Sequence, residues 1–461
     1  MDWFAKVAPT TSPFPLAGAP FFDEADGVGI DGVLCYQEKL HTDLDDCISY
    51  TWDIVVGIRP PVVTMSKYCR REILNDLLAT RSSLAVNVLE TAAMVAAATM
   101  PMAPQPVISP FAFSLASPAH AILAAYTTTL TAAPFYDAPG ALIFAQLDHM
   151  YGLLPVALPK VFLDMCWGAG GFSEYLAWRG ARGLLVRCQP HALKSTADWP
   201  NEAIRSNTTC HPPILDLLSA DTALDQVQEQ LSAFLSPPME LEGDDKKRNM
   251  DATTPPALVS LVVSDVYSLV KTIPPTSTAY FSEQNFQMHL LGGILIALNT
   301  LHQGGALVLR YGDAATRFGA SLLYVLHVSF ATIRIVKPFT SPTFENDRTV
   351  VCQGFLGPRA TLLSHLDAVQ TKARELMLHS GAAIFNDQSV LSFVAITDLM
   401  RQDFLRFLTG ANERLALREI AALRLLGGFF TCPPDQSGNY PLYDPALVGA
   451  RGLERLKVTE S

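Results

Sequence analysis

Residues 161 to 179 constrain this chain most, because Val161-Phe-Leu-Asp-Met-Cys-Trp-Gly-Ala-Gly-Gly-Phe-Ser-Glu-Tyr-Leu-Ala-Trp-Arg179 reads as a buried strand, a glycine turn and an opening helix in immediate succession. A chain builds a nucleotide-like pocket in this way. Gly168, Gly170 and Gly171 lack Cβ atoms, so the backbone can turn tightly and approach a ligand, while Asp164 at the strand end can accept polar hydrogens. Taken alone, such a turn also serves tight packing. A dinucleotide-binding chain would place a carboxylate about twenty residues beyond the glycines. The stretch 183–190 reads Gly-Leu-Leu-Val-Arg-Cys-Gln-Pro, without one, which disfavours NAD.

From Val161 onward, apolar strands alternate with longer amphipathic stretches, the pattern of helices on both faces of a mostly parallel sheet. Strands are expected at 161–166, 183–188, 258–264, 305–311, 330–336 and 348–354. Residues 1–65 read as an irregular arm rich in Pro and Gly, and 66–150 as a helical extension with a helix opening near Ser66, an alanine-rich one from Leu84 and a third stretch over 112–150. The central α/β domain spans 151–357, with a polar surface insertion at 236–256, and 358–461 reads as a helical extension led by the amphipathic run Leu362 to Leu378. Lys246-Lys247-Arg248 lies beside Asp244 and Asp245, the composition of a solvated loop.

With 461 residues, 49% of them hydrophobic, the chain can bury a large core. A net charge of −11 argues against coating nucleic acid through bulk positive charge, so any RNA contact must be a local groove. The eight cysteines include no C-x-x-C pair, which fits a reducing compartment better than a disulfide framework or a zinc site. No metal is expected either, since His149, His289 and His327 lack ligand spacing. The N-terminus does not resemble a secretion signal, and Leu84 to Met100, broken by Asn87 and Glu90 and closed by Pro101, is too short and polar for a membrane span.

The words around the glycines carry a resemblance. Residues 164–179 closely resemble the S-adenosylmethionine motif of FtsJ-like ribose 2′-O-methyltransferases, particularly the cap-specific mRNA branch, whose usual form is D-L-C-x-x-P-G-G-F-S-E-Y-x-L-W-R. Ala169 stands where proline is usual. Further similarity runs to about residue 430, in Asp403-Phe-Leu-Arg-Phe-Leu and Asn412-Glu413. The resemblance implies a Rossmann-like α/β methyltransferase sheet with helical extensions, S-adenosylmethionine as cofactor, RNA (including capped mRNA) as partner, and a nuclear or cytoplasmic location. It places Asp164, Cys166, Gly168, Gly170, Gly171, Phe172 and Asp265 in the cofactor wall, with Asp216 as the adenine-side carboxylate. Asp216 serves equally well as a cap for the helix that follows.

The same resemblance implies a Lys-Asp-Lys-Glu tetrad, of which one member is intact. Asp265 ends the apolar strand Leu-Val-Ser-Leu-Val-Val-Ser, at the sheet edge where α/β proteins bind ligands. Arg310 replaces the central lysine; it stays protonated and can stabilise an alkoxide but cannot act as a base. Asp347 replaces the glutamate, with Glu345 nearby, and Ile143 falls where the first lysine belongs. Lys160 and Lys337 are the lysines that could enter the cleft from another direction, Lys337 equally reading as a snorkelling surface residue. Three readings stay open: a cap-type methyltransferase, an inactive descendant serving as an RNA- or protein-binding module, and a methyltransferase with rebuilt chemistry on another substrate. The acidic balance mildly favours a protein partner over extended RNA.

Overall fold

Five central strands run parallel and carry the fold: β3 (Val161–Met165), β4 (Arg182–Arg187), β5 (Thr208–Ile214), β6 (Val259–Ser264) and β7 (Leu301–Tyr311). The structure is a computed structural model that describes residues 34–36, 52–58, 67–83, 139–154, 160–165, 171–187, 206–214, 217, 220–235, 258–265, 283–312, 314–338, 341, 346–379 and 388–431. Beyond β7 the sheet continues through β9 (Arg348–Phe355), antiparallel to both neighbours, then β8 (Phe330–Val336) and a short edge strand β1 (Leu34–Tyr36). The spatial order is β1-β8-β9-β7-β6-β3-β4-β5. β3 turns out to β4 on one side while β6 flanks it on the other, so the sheet reverses its winding between β3 and β6. A crevice opens there at the carboxyl ends.

The parallel strands are apolar without a break because both their faces are covered. Leu163, Met165, Val262, Leu307 and Leu309 face one core, shared with Leu291, Ile294 and Leu298 of a long helix at Glu283–Thr300. The alternate residues Phe162, Leu261, Val263 and Val308 face a second core with Phe144, Tyr175 and Leu176, supplied by α2 (Pro139–Tyr151) and α3 (Gly171–Trp178). Side chains alternate along a strand, so Asp164 and Arg310 share the parity of Phe162 and Val308 and lie on the α2–α3 face. Asp148 ties those two helices together, accepting from Tyr175 Oη at 2.8 Å and Arg179 Nη1 at 2.9 Å. In chain order, α1 covers residues 71–83, α4 Ala220–Leu235, α5 Glu283–Thr300 and α6 Arg317–Ser329. α7 (Ala360–His379), α8 (Ile396–Leu399) and α9 (Gln402–Thr431) complete the set. Thr316 caps α6, its hydroxyl accepting from the Gly319 amide at 3.0 Å, a contact whose removal costs about 1 kcal/mol.

The expected strands at 161, 183, 258, 330 and 348 are present within a residue or two, and β7 begins four residues earlier than expected. Four strands differ from expectation. β5, where no strand was expected, carries Pro212 and Pro213, which are tolerated at an edge. β1 and β2 (Val55–Ile58) lie in the stretch expected to be irregular, and β10 (Gln388–Ser392) in the stretch expected to be helical; β2 and β10 pair antiparallel in a separate small sheet. Trp52 anchors that sheet, donating Nε1 to Asp398 at 2.9 Å. The helices expected from Leu84 and over 112–138, and the insertion at 236–256, lie outside the described residues.

α1 and α9 come from opposite ends of the chain and meet in a buried bidentate pair. Arg81 Nε and Nη2 reach Glu419 Oε1 and Oε2 at 2.6 and 2.7 Å. Removing one partner of such a pair costs about 3–5 kcal/mol, because the other charge stays buried.

Candidate active site

Asp164 and Asp265 occupy the same end of adjacent strands. The register sets Asp164 beside Val263 and Met165 beside Ser264, and Asp265 follows immediately. The two carboxylates therefore stand at the same end of neighbouring strands, at the switch point. Asp164 is buried at 3% exposure, and its Oδ2 takes a hydrogen bond from Ser173 Oγ on the first turn of α3. Burial pushes the Asp164 carboxyl up to about 8, against the Ser173 hydrogen bond and with help from the negative charge of Asp265.

Gly171 opens α3 against the start of α2. A Cβ built on it would lie 2.6 Å from Gly140 Cα, so the two helix starts meet backbone to backbone. Only glycine permits that approach. Phe172 is buried and its ring lies 5.3 Å from that of Phe144, so it serves the contact between α3 and α2. Cys166, Gly168, Gly170 and Asp216 lie outside the described residues, as does Glu345.

Across the crevice, Arg310 near the end of β7 bridges two carboxylates. Its Nη1 donates to Asp265 Oδ2 at 2.9 Å and its Nη2 to Asp347 Oδ2 at 2.7 Å. Asp347 also accepts from Ser341 Oγ at 2.8 Å and, through Oδ1, from the Lys337 amine, which donates in addition to the Asp347 carbonyl at 2.9 Å. Burial alone would raise the Asp347 carboxyl, but the charges of Lys337 and Arg310 hold it well below the usual carboxylate range. Asp265 is the more open end of the bridge, its side chain 24% exposed against 10% for Arg310 and 2% for Asp347.

The remaining candidates separate clearly. Lys337 is buried at 4% exposure, so the snorkelling reading is corrected: the register pairs Val336 with Thr349, which brings Lys337 to the start of β9, where its amine reaches the neighbouring Asp347. Its amine lies on the Oδ1 side of Asp347, with Arg310 on the Oδ2 side, so it supports the bridge from behind. Lys160 does not enter the crevice. It precedes β3, at the opposite edge of the sheet, and donates to the Leu153 carbonyl at 3.3 Å. Ile143 is buried in the apolar layer of α2. Sequence reasoning missed Ser173 and Ser341 as partners of the acids. The signal for Ser173 was its place one turn into the helix that follows Asp164; for Ser341 it was the serine of the Lys-Pro-Phe-Thr-Ser stretch. Among the described residues no group of His, Cys, Asp and Glu could hold a metal ion, and no helix is long and apolar enough to cross a membrane.

The model of the family described as FtsJ-like methyltransferase matches residues 140–355. Among curated proteins, the chain is 25% identical over 301 residues to cap-specific mRNA (nucleoside-2′-O-)-methyltransferase 1 of Dictyostelium discoideum, covering 61% of this chain and 36% of that protein. It is 26% identical over 280 residues to the Homo sapiens protein of the same name, covering 58% of this chain and 29% of that protein. Cap-specific mRNA (nucleoside-2′-O-)-methyltransferase 2 of Danio rerio is 29% identical over 148 residues, 32% of this chain and 18% of its own length. The chain thus spans about a third or less of the length of these relatives.

Proposed function

Residues 140–355 are an FtsJ-like methyltransferase domain, and from that premise we propose that the chain transfers a methyl group from S-adenosylmethionine to a ribose 2′-hydroxyl of RNA, with capped mRNA as the substrate class. The observation that carries this reading is the meeting of Asp164 and Asp265 at the sheet's switch point, with Arg310 reaching Asp265 from the neighbouring strand. Asp164 fits the cofactor as a buried carboxyl beside Asp265 at the switch point. It holds the cofactor in this reading, together with Cys166, Gly168, Gly170 and Asp216 as candidates from the motif, while Gly171 is taken up by packing on Gly140. When bound, the cofactor supplies an electrophilic methyl on a sulfonium.

The chain's own groups divide the remaining work. Asp265, the exposed end of the bridge, receives the ribose hydroxyl and accepts its proton. Arg310 cannot take a proton, but its fixed positive charge stabilises the oxygen as negative charge develops. Asp347 and Lys337 keep the guanidinium in place, which spares reorganisation during the reaction. With a net charge of −11, RNA is gripped through a local groove, and the low cation content leaves room for a protein partner. A nuclear or cytoplasmic location goes with this reading and with the scattered cysteines.

A second reading, a module that retains the fold without turnover, is favoured by one observation: two carboxylates engage the guanidinium that stands in the lysine's place. Transfer of labelled methyl from S-adenosylmethionine to capped and uncapped RNA decides between them. The catalytic reading expects incorporation that falls about 10²–10⁴-fold in Asp265→Ala. Binding of S-adenosylhomocysteine without incorporation would establish the module instead.

A further inference from the structure

We propose that Asn412 is a positioning residue of the Arg310 centre, through which the C-terminal helix sets the spacing between the exit of β7 and the entry of β9. This rests on the reading above only in taking Asp265, Arg310 and Asp347 as the working centre. Asn412 lies on α9, buried at 3% exposure, and its amide serves three separate segments. Its Nδ2 donates to the Ala314 carbonyl at 3.1 Å and to the Tyr68 carbonyl at 2.9 Å, and its Oδ1 accepts from Arg348 Nη1 at 2.5 Å.

Two of those segments carry the centre. Ala314 lies four residues beyond Arg310 on the chain leaving β7, and Arg348 follows Asp347 at the start of β9. The antiparallel register pairs Tyr311 with Arg348 and Arg310 with Thr349, so the Arg310–Asp347 bridge crosses the end of the β7–β9 ladder. Beyond Tyr311 the ladder ends, and backbone pairing no longer fixes how far the chain leaving β7 stands from the chain entering β9. Asn412 ties both segments to one rigid side chain. A planar amide using both of its N–H groups and its oxygen has little freedom to shift, and losing any of the three bonds leaves a buried polar group unsatisfied. The third bond, to Tyr68, adds the segment leading into α1, which the Arg81–Glu419 pair fastens to α9 farther along. The terminal helices thus form a single brace behind the crevice.

Asn412 has no hydrogen bond to Arg310 or Asp347 in this arrangement, so an ordinary packing role predicts independence of the two sites. A double-mutant cycle on the full chain separates the cases. Unfolding constants are measured in urea for the parent, Asn412→Ala, Arg310→Met and the double variant, with Asn412→Ala combined with Lys372→Ala on the solvent face of α7 as the control pair. Positioning expects the first cycle to depart from multiplicative behaviour by about fivefold or more, and the control to agree within about twofold. Agreement within about twofold in both cycles would overturn the proposal. Should Asn412→Ala fail to fold, Asn412→Ser and Arg348→Gln cut the same tie more gently, and the same cycles apply. Titration of the parent with S-adenosylhomocysteine is run alongside; absence of binding there counts against the methyltransferase reading and leaves the answer of the cycles intact.

Discussion

The two walls of the crevice use aspartate in opposite ways. On the β3 wall, Asp164 is buried with a serine hydroxyl as hydrogen-bond donor and another carboxylate close by, and its proton is held more tightly than usual. On the β7–β9 wall, Asp347 is equally buried but lies between a lysine and an arginine, and stays ionised. The same side chain at similar depth is driven toward neutral in one place and locked as an anion in the other, and only the neighbouring charges differ. The first wall carries the motif at residues 164–179, whereas on the second Arg310 and Asp347 stand where the resemblance implies a lysine and a glutamate.

The contrast breaks most severely at Asp347. Asp347→Ala leaves Lys337 buried without a carboxylate and Arg310 with Asp265 alone, and we expect a loss of about 3–5 kcal/mol in urea unfolding at neutral pH; a loss below about 1 kcal/mol would mean the wall does not depend on that anion. Arg310→Lys tests what the wall gave up. Because Asp265 takes the proton and Arg310 supplies a fixed charge held by two carboxylates, the lysine, which keeps the charge but not the fork, should lower methyl transfer about tenfold, read as initial rate on capped RNA. On the other wall, Gly171→Ala forces a methyl onto the backbone of Gly140, with an expected cost of about 1–3 kcal/mol and weaker S-adenosylhomocysteine binding by calorimetry.

Acid and base should also tell the walls apart. Because the Asp164 carboxyl is raised in the folded state, folding takes up a proton between the unfolded value near 4 and the folded value of about 8. Its contribution therefore falls as pH rises through that window, by at most about 1.4 kcal/mol per pH unit. Asp347 has the opposite sign: its depressed carboxyl contributes stability above the unfolded value, which is lost as pH drops below it. Asp164→Asn should flatten the stability profile between pH 5 and 8 and leave the acid limb unchanged. The smallest effect is expected far from either wall. Glu375→Gln removes an exposed pair with Lys372 on α7 and should change stability by about 0.5 kcal/mol or less.

How far each wall could be read from sequence follows from the range of the interactions that build it. Asp164 and Asp265 were legible because each ends a β-branched, doubly buried strand, and strand ends at a switch point bind ligands. The strands at 161, 182, 259, 330 and 348 were legible for the same local reason. Lys337 was not, because a lysine before proline looks like a surface residue until the pairing of β8 with β9 puts an anion against it. Asn412 and Arg348 share that difficulty, since their roles depend on a contact between positions 64 residues apart. The strands β1, β2 and β10 are short, and their pairing is decided by partners far along the chain.

β5 has a consequence for how the molecule behaves in company. It closes one border of the eight-stranded sheet, and an open border is a template on which a second molecule can extend the ladder. Adjacent residues of a strand direct their amides to opposite sides, so one of Pro212 and Pro213 withholds a donor from the outer rail and the other from the β4 side, where the register already slips between Val186 and Arg187. A stranger's strand laid alongside would find its rail broken at that point.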